Sequence, residues 1–153
     1  MIRIMPNTPA AVNEGMILCC YNDKIDPETD LDDLPSVLSA GKLDFIKEEM
    51  IDAASALSGC GPAFVYMFIE ALADGAVKCG LPRDKALYYA SQTVLGAGKM
   101  VLQSGMHPGQ LKDAVCSPGG STIAGVAALE NSAFRSAAIN AVEAAYNRTK
   151  ELG

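Results

Sequence analysis

The stretch from His107 to Glu130, HPGQLKDAVCSPGGSTIAGVAALE, constrains the chain most, because a helix is broken and restarted within a few residues. GQLKDAV has helical character and is stopped by Ser117-Pro118-Gly119-Gly120. Pro118 has no N–H to donate, and two glycines let the backbone turn and come close to a ligand. A second helix then starts at Ser121 or Thr122 and is expected to reach about Glu130. At such a start the N–H groups of Ser121, Thr122 and Ile123 lack intrahelical partners and point outward with the positive end of the helix dipole. That makes a small anion site, sized for one carboxylate or phosphate. The plainer reading of the same spacing is a turn followed by an ordinary Ser or Thr N-cap, and spacing alone favours it.

A chain of 153 residues suits one compact domain, and 50% hydrophobic content is ample for a core. Aromatics are only 6% and tryptophan is absent, so Ala, Val, Leu, Ile and Met must fill that core, as in closely packed helices. A net charge of -6 argues against nucleic acid, and no basic cluster suggests a membrane surface. No apolar run is expected to reach transmembrane length, and no signal peptide is read. Five cysteines without a CxxC, and the single histidine His107, offer no metal pattern. They read as reduced, mostly buried thiols of a cytoplasmic protein.

Taken in order, the N-terminus reads as cut. Ile2 to Met5 is strand-like with nothing before it to pair with, and Gly15 to Tyr21 is a second strand after the Pro6-Asn7-Thr8-Pro9 loop. Asp26-Pro27-Glu28 is a reasonable helix start, with Pro35 either kinking that helix or delaying it to about Asp33. Gly41 is expected to end it, with a short strand at Leu43 to Ile46. These segments do not promise a sheet layer of their own and look like the tail of a larger α/β domain. From Ile51 the chain turns helical. The Ser58–Pro62 turn leads into Ala63 to Cys79, with Gly80 as a C′ glycine. Apolar residues go all the way round in Phe64 to Ile69, so burial on more than one side is expected. Leu81-Pro82-Arg83-Asp84 opens a helix to about Ser104, and a last helix runs from Ala133 to about Leu152 with Ala138, Ile139, Val142 and Ala145 at helical spacing. Gly96 and Gly98 inside the former cost roughly 1 kcal/mol each relative to alanine, which predicts another helix packed across them.

Other motifs carry little. Gly59-Cys60-Gly61 lacks the right preceding strand and Gly96-Ala97-Gly98 sits mid-helix, so neither is a dinucleotide turn. His107 has no nucleophile beside it in an elbow context and reads as structural. Glu48 and Glu49 read as a solvated helix start, or as a ligand to an amine or cation.

The segments ALSGCGPAFVYMFIEALADGAVKCGLPRDKA and HPGQLKDAVCSPGGSTIAGVAALE closely resemble the C-terminal domain of pyrroline-5-carboxylate reductases. RIMPNTPAAVNEG resembles the end of their nucleotide-binding domain, so the resemblance covers essentially the whole chain. It implies a mainly α fold: a helical-bundle dimerisation and substrate domain over residues 51–153, after a short α/β remnant of a Rossmann-type domain at 1–50. It also implies reduction of a cyclic imine to proline by NADPH or NADH, with the main dinucleotide site in a front part expected to be absent here.

By the same resemblance, Ser117, Gly119, Gly120, Ser121 and Thr122 would hold the substrate carboxylate, chiefly through the N–H groups of Ser121 and Thr122. The Thr122 hydroxyl would meet the ring nitrogen as the catalytic contact, and Glu48 would lie near that nitrogen. Asn7, Thr8 and Pro9 would approach the nicotinamide end, with Ala114 giving only backbone contact to the cofactor. Cys60 replaces the commoner serine of the SGSGP turn, a packing change. The partners implied are the small-molecule substrate and a second copy of the chain, as a dimer or higher oligomer, with no metal, nucleic acid or membrane. Two other readings stand beside this one: a helical oligomerisation module without catalysis, and the C-terminal domain of another nicotinamide-dependent dehydrogenase.

Overall fold

The computed structural model describes residues 2–22, 25 and 39–152. The helix start expected at Asp26 and the break at Pro35 lie outside those residues. The described chain is mainly α with one small sheet. It divides into two compact units, residues 1–64 with 139–153, and residues 65–138.

The first unit is organised by β2 (Gly15–Tyr21), the middle strand of three. β1 (Ile2–Met5) pairs with it antiparallel, placing Arg3 opposite Cys20, and β3 (Gly41–Phe45) pairs parallel on its other edge. Ile17, Leu18, Cys19 and Cys20 are all buried, so the strand reads as a continuous apolar run rather than an alternation. Contrary to expectation, these segments do make a sheet. β1 finds its partner downstream, and Gly41 begins a strand rather than only ending a helix. The Gly15–Gly41 pair is tight: a Cβ on Gly41 would lie 2.0 Å from the Gly15 carbonyl oxygen. One 3-10 turn, Glu48–Met50, then leads into α1 (Ile51–Ser58), which packs on β2 and buries Ile51 and Ala56. Burying an isoleucine of this kind contributes about 1.5–3 kcal/mol.

The second unit is built on a helical hairpin. α2 (Gly61–Lys78) ends at Gly80, whose φ of +98° suits glycine. The Leu81 N–H bonds the Ala76 carbonyl and the Gly80 N–H bonds that of Val77, which is a Schellman stop. α3 (Arg83–Ser104) starts after Pro82 and ends at Gly105 in the left-handed region. Where these helices meet, Ala73, Ala86 and Ala90 are buried, flanked by Ile69, Ala76, Val77 and Leu81. Small side chains let the two backbones approach. α4 (Pro108–Ala114) and α5 (Ser121–Asn131) follow. α6 (Phe134–Leu152) begins in this unit and ends in the first.

Three expectations about packing are corrected. Burial on more than one side was expected of α2, but within the single chain Val65, Tyr66 and Met67 are exposed, Met67 at 70%. A Cβ on Gly96 or Gly98 would meet nothing within 4 Å, so among the described residues no helix crosses α3 there. Of the five cysteines only Cys19 and Cys20 are buried, and Cys79 is exposed. The first two corrections share a cause: these helices carry more apolar surface than the described elements cover. A fourth correction concerns length. The segment Glu48–Lys78 is long and apolar enough to cross a membrane by length and composition, where no such run was expected. A break at Gly59-Cys60 divides it into α1 and α2.

Candidate functional site

The turn between α4 and α5 has a specific construction. His107 caps α4: its Nδ1 accepts from the Gly109 N–H at 3.1 Å, while the Gln110 side chain accepts from the His107 N–H at 3.2 Å. That reciprocal cap gives the lone histidine its structural role. After Val115, the Ser117 carbonyl accepts from the Gly120 N–H at 3.0 Å. Pro118 and Gly119 occupy the two central positions, with Gly119 at φ +68°. This is the Pro-Gly pattern of a type II turn, in which the second central residue needs positive φ. Gly120 is then the N-cap in extended conformation, and α5 begins at Ser121.

No side chain caps α5. The expectation of an ordinary Ser or Thr N-cap is therefore overturned, because the residue in the cap position has no side chain with which to accept. A Cβ on Gly120 would come 2.3 Å from Ser117 Oγ and 3.1 Å from its carbonyl oxygen, so the bare cap also makes room for Ser117. The first N–H groups of α5, from Ser121, Thr122 and Ile123, are left with no intrahelical or capping acceptor. They face outward at the positive end of the helix. Ser117, Ser121 and Thr122 are exposed, as is Ala114 at the end of α4. The arrangement offers the N–H groups of Ser121, Thr122 and Ile123 and the hydroxyls of Ser117, Ser121 and Thr122, a setting for an anion such as a carboxylate.

The remaining candidates lie in the first unit. Asn7 precedes the 3-10 turn Thr8–Val12 and uses both ends of its amide internally. Nδ2 donates to the Ser58 carbonyl and Oδ1 accepts from the Met16 N–H, each at 2.9 Å. Asn7 thus ties its loop to α1 and β2, and Thr8 and Pro9 follow it on that anchored backbone. Glu48 opens the turn before α1, with its carboxylate engaged by two side chains. Oε1 accepts from Arg3 Nη1 and Oε2 accepts from Cys20 Sγ at 2.7 Å. The Cys20 thiol and the Arg3 guanidinium together hold the Glu48 carboxyl below the usual range. Burial first, and the Glu48 carboxylate second, push the Cys20 thiol up to about 11.

Arg3 and Cys20 were not identified from the sequence. The signal was an arginine inside an otherwise apolar strand, which only the β1–β2 register places opposite Cys20. Among the described residues, no three His, Cys, Asp or Glu side chains gather as metal ligands.

Comparison with known proteins places this geometry in a family. Residues 48–152 match the family described as pyrroline-5-carboxylate reductase dimerisation. The chain is 52% identical over 151 residues to a pyrroline-5-carboxylate reductase of Glycine max, covering 99% of this chain and 55% of that protein. It is 47% identical over 152 residues to the Escherichia coli (strain K12) enzyme of the same name, covering 99% and 56%. It therefore spans about half the length of the curated relatives it matches. Among solved structures, Plasmodium falciparum pyrroline carboxylate reductase with NADP bound superposes with a TM-score of 0.90 at 42% identity, over 99% of this chain and 62% of that one. A pyrroline-5-carboxylate reductase from Coxiella burnetii gives 0.92 at 36%, over 99% and 57%. The turn, the uncapped helix start and the uncovered apolar helices all lie in the matched residues: the chain belongs to the pyrroline-5-carboxylate reductase dimerisation family.

Proposed function

We propose that this chain is the dimer-forming and substrate-holding part of a cytoplasmic pyrroline-5-carboxylate reductase, which reduces a cyclic imino acid to proline. The observation that carries this reading is the uncapped start of α5 behind the Ser117–Gly120 turn. Ser117, Gly119, Gly120, Ser121 and Thr122 form the carboxylate cradle, with backbone N–H groups as donors. The Thr122 hydroxyl serves the ring nitrogen; Glu48, in the other unit, is read by resemblance alone as a carboxylate ligand for an amine. Residues 1–50 are read as the end of a nucleotide-binding domain and 51–153 as the helical domain.

The bound cofactor, NADPH or NADH, would supply the hydride. The sequence contains no glycine-rich pyrophosphate turn, and both polar atoms of the Asn7 side chain are already bonded within the chain. The residues here thus suit only a contact at the nicotinamide end, from Thr8, Pro9 and the Ala114 backbone. What this chain contributes to rate is positioning: a carboxylate fixed at a helix start orients the ring in a preorganised frame. The second reading is a helical module without catalysis. Calorimetric titration separates the two. The proposed site binds L-proline and loses about tenfold or more in affinity on Thr122→Val, since a hydrogen bond to a charged partner contributes about 1.5–3 kcal/mol. Unchanged binding in that variant would make Thr122 an ordinary first-turn residue.

A further inference from the structure

Two residues of one short stretch, Arg3 and Asn7, grip the helical segment Glu48–Ser58 at both of its ends. On β1, the Arg3 guanidinium donates to Glu48, the first residue of that segment, which also accepts from Cys20 Sγ at 2.7 Å. Just past β1, Asn7 Nδ2 donates at 2.9 Å to the carbonyl of Ser58, the last residue of α1. The lengths match: extended chain from Arg3 to Asn7 covers about 13 Å, and helix from Glu48 to Ser58 about 15 Å. Between the two grips, α1 lies on β2 with Ile51 and Ala56 buried. The family match begins at Glu48, yet these contacts put the first residues of that match with the sheet, in the unit that runs to residue 64. We propose that Glu48–Ser58 is a strap latched to the sheet at both ends, which opens and closes as one piece.

The strap is independent of whatever the turn before α5 binds. Its unity follows from its length. α1 has 8 residues, too few to stay helical in water without packing against something. Lifting either end uncovers Ile51 or Ala56 and removes the contacts that keep the rest helical. The Asn7 amide is divided between the strap and the sheet. Its Oδ1 accepts from the Met16 N–H on β2 at 2.9 Å, so the Asn7 loop stays on the sheet when Nδ2 releases Ser58. The moving piece is therefore the strap and not the loop. Beyond Ser58 the chain is already broken at Gly59-Cys60 before α2 begins, so the strap can lift without unwinding α2.

Amide hydrogen exchange on the 153-residue chain tests this, with one reporter at each end. The Met50 N–H, bonded to the Lys47 carbonyl, reports the Arg3 end, and the Gly59 N–H, bonded to the Ser55 carbonyl, reports the Asn7 end. Arg3→Met loosens the first latch. Asn7→Asp removes the second while keeping an oxygen for the Met16 N–H. A strap that opens as one cooperative piece responds at both reporters to either change. Arg3→Met should speed Gly59 exchange about two- to fourfold, as much as Met50, since an exposed ion pair is weak. Asn7→Asp should speed both about tenfold, and the factors should multiply in the double variant. Amides of β2, and the Ala86 N–H bonded to the Pro82 carbonyl in α3, should keep their wild-type rates. Faster exchange only at the mutated end would show two independently fraying termini and overturn the inference. Equal speeding at β2 and Ala86 would show global unfolding and overturn it too, as would unchanged rates at both reporters. Arg3 is exposed, so Arg3→Met carries the test by itself if Asn7→Asp does not fold.

Discussion

The two units of this chain treat their chemistry in opposite ways. In the first, β2 is buried, Asn7 spends both ends of its amide on its own backbone, and Glu48 is held by Arg3 and Cys20. In the second, a few alanines are buried, Met67 and Leu102 stand in the open, and the first donors of α5 have no capping acceptor. In the first unit the Asn7 and Glu48 side chains find partners within the chain; the second leaves the first donors of α5 without an acceptor beside a wide apolar surface. Exposed apolar surface on this scale marks an interaction site, and bare helix-start donors mark an anion site. That pairing suits a family whose described role is dimerisation.

The largest expected effect breaks the contrast at its apolar end. Met67→Asp on a true surface should change stability by no more than about 0.5 kcal/mol. On a dimer face it buries an unpaired charge, costing about 3 kcal/mol or more, and should convert a dimer into monomer. Sedimentation equilibrium of the wild type and the variant decides. A wild type that is monomeric at micromolar concentration and still unfolds cooperatively would show that the uncovered helices need no partner.

Next in size is the polar end. With the nucleotide-binding segment of the Escherichia coli relative joined in front, Thr122→Val should lower kcat/KM about ten- to a hundredfold, while Thr122→Ser recovers most of it. Ser121→Ala should change little, because its expected contribution is the backbone N–H. Steady-state kinetics on the three variants would expose a mistaken assignment if valine matched the wild type.

A smaller effect tests the turn that leaves those donors bare. Gly119→Val places a β-branched residue at φ +68°, at a cost of about 1–2 kcal/mol. The unit should soften locally, and proline affinity should drop with it, whereas Gly125→Ala in the open interior of α5 should be neutral or slightly stabilising. Thermal melts and titrations of the two variants compare a glycine required by conformation with one that is not.

The smallest effect belongs to the first unit. The Cys20 thiol is raised from 9.0 to about 11 in the folded chain, so the neutral thiol favours the fold. Its contribution is fully present below about pH 9 and is lost as pH rises through about 11. Melting temperature should therefore fall more steeply above pH 9 in the wild type than in Cys20→Ala. Parallel slopes would mean that the thiol is not held neutral by its surroundings.

Much of the architecture was legible in the residues. Gly15 to Tyr21 reads as a buried strand from its unbroken apolar run, and α3 is bracketed by Pro82 and Gly105. The Pro118-Gly119 pair dictates its turn, because proline fixes one dihedral and only glycine takes the next at low cost. Such features depend on neighbours in sequence, where backbone sterics act. What the residues alone left open was decided by pairing between distant segments. The sheet required β1 and β3 to find β2, and the Arg3–Cys20–Glu48 cluster required the register that results. Gly120 as the cap, rather than Ser121 or Thr122, was settled by where the turn ends, one residue earlier than side-chain preference suggests. Periodicity indicated that Phe64 to Ile69 needs cover on several sides but not what supplies it. The fold answers that this chain alone leaves much of that surface exposed. Local sterics are written along the chain, whereas cover and partnership exist only once distant surfaces meet.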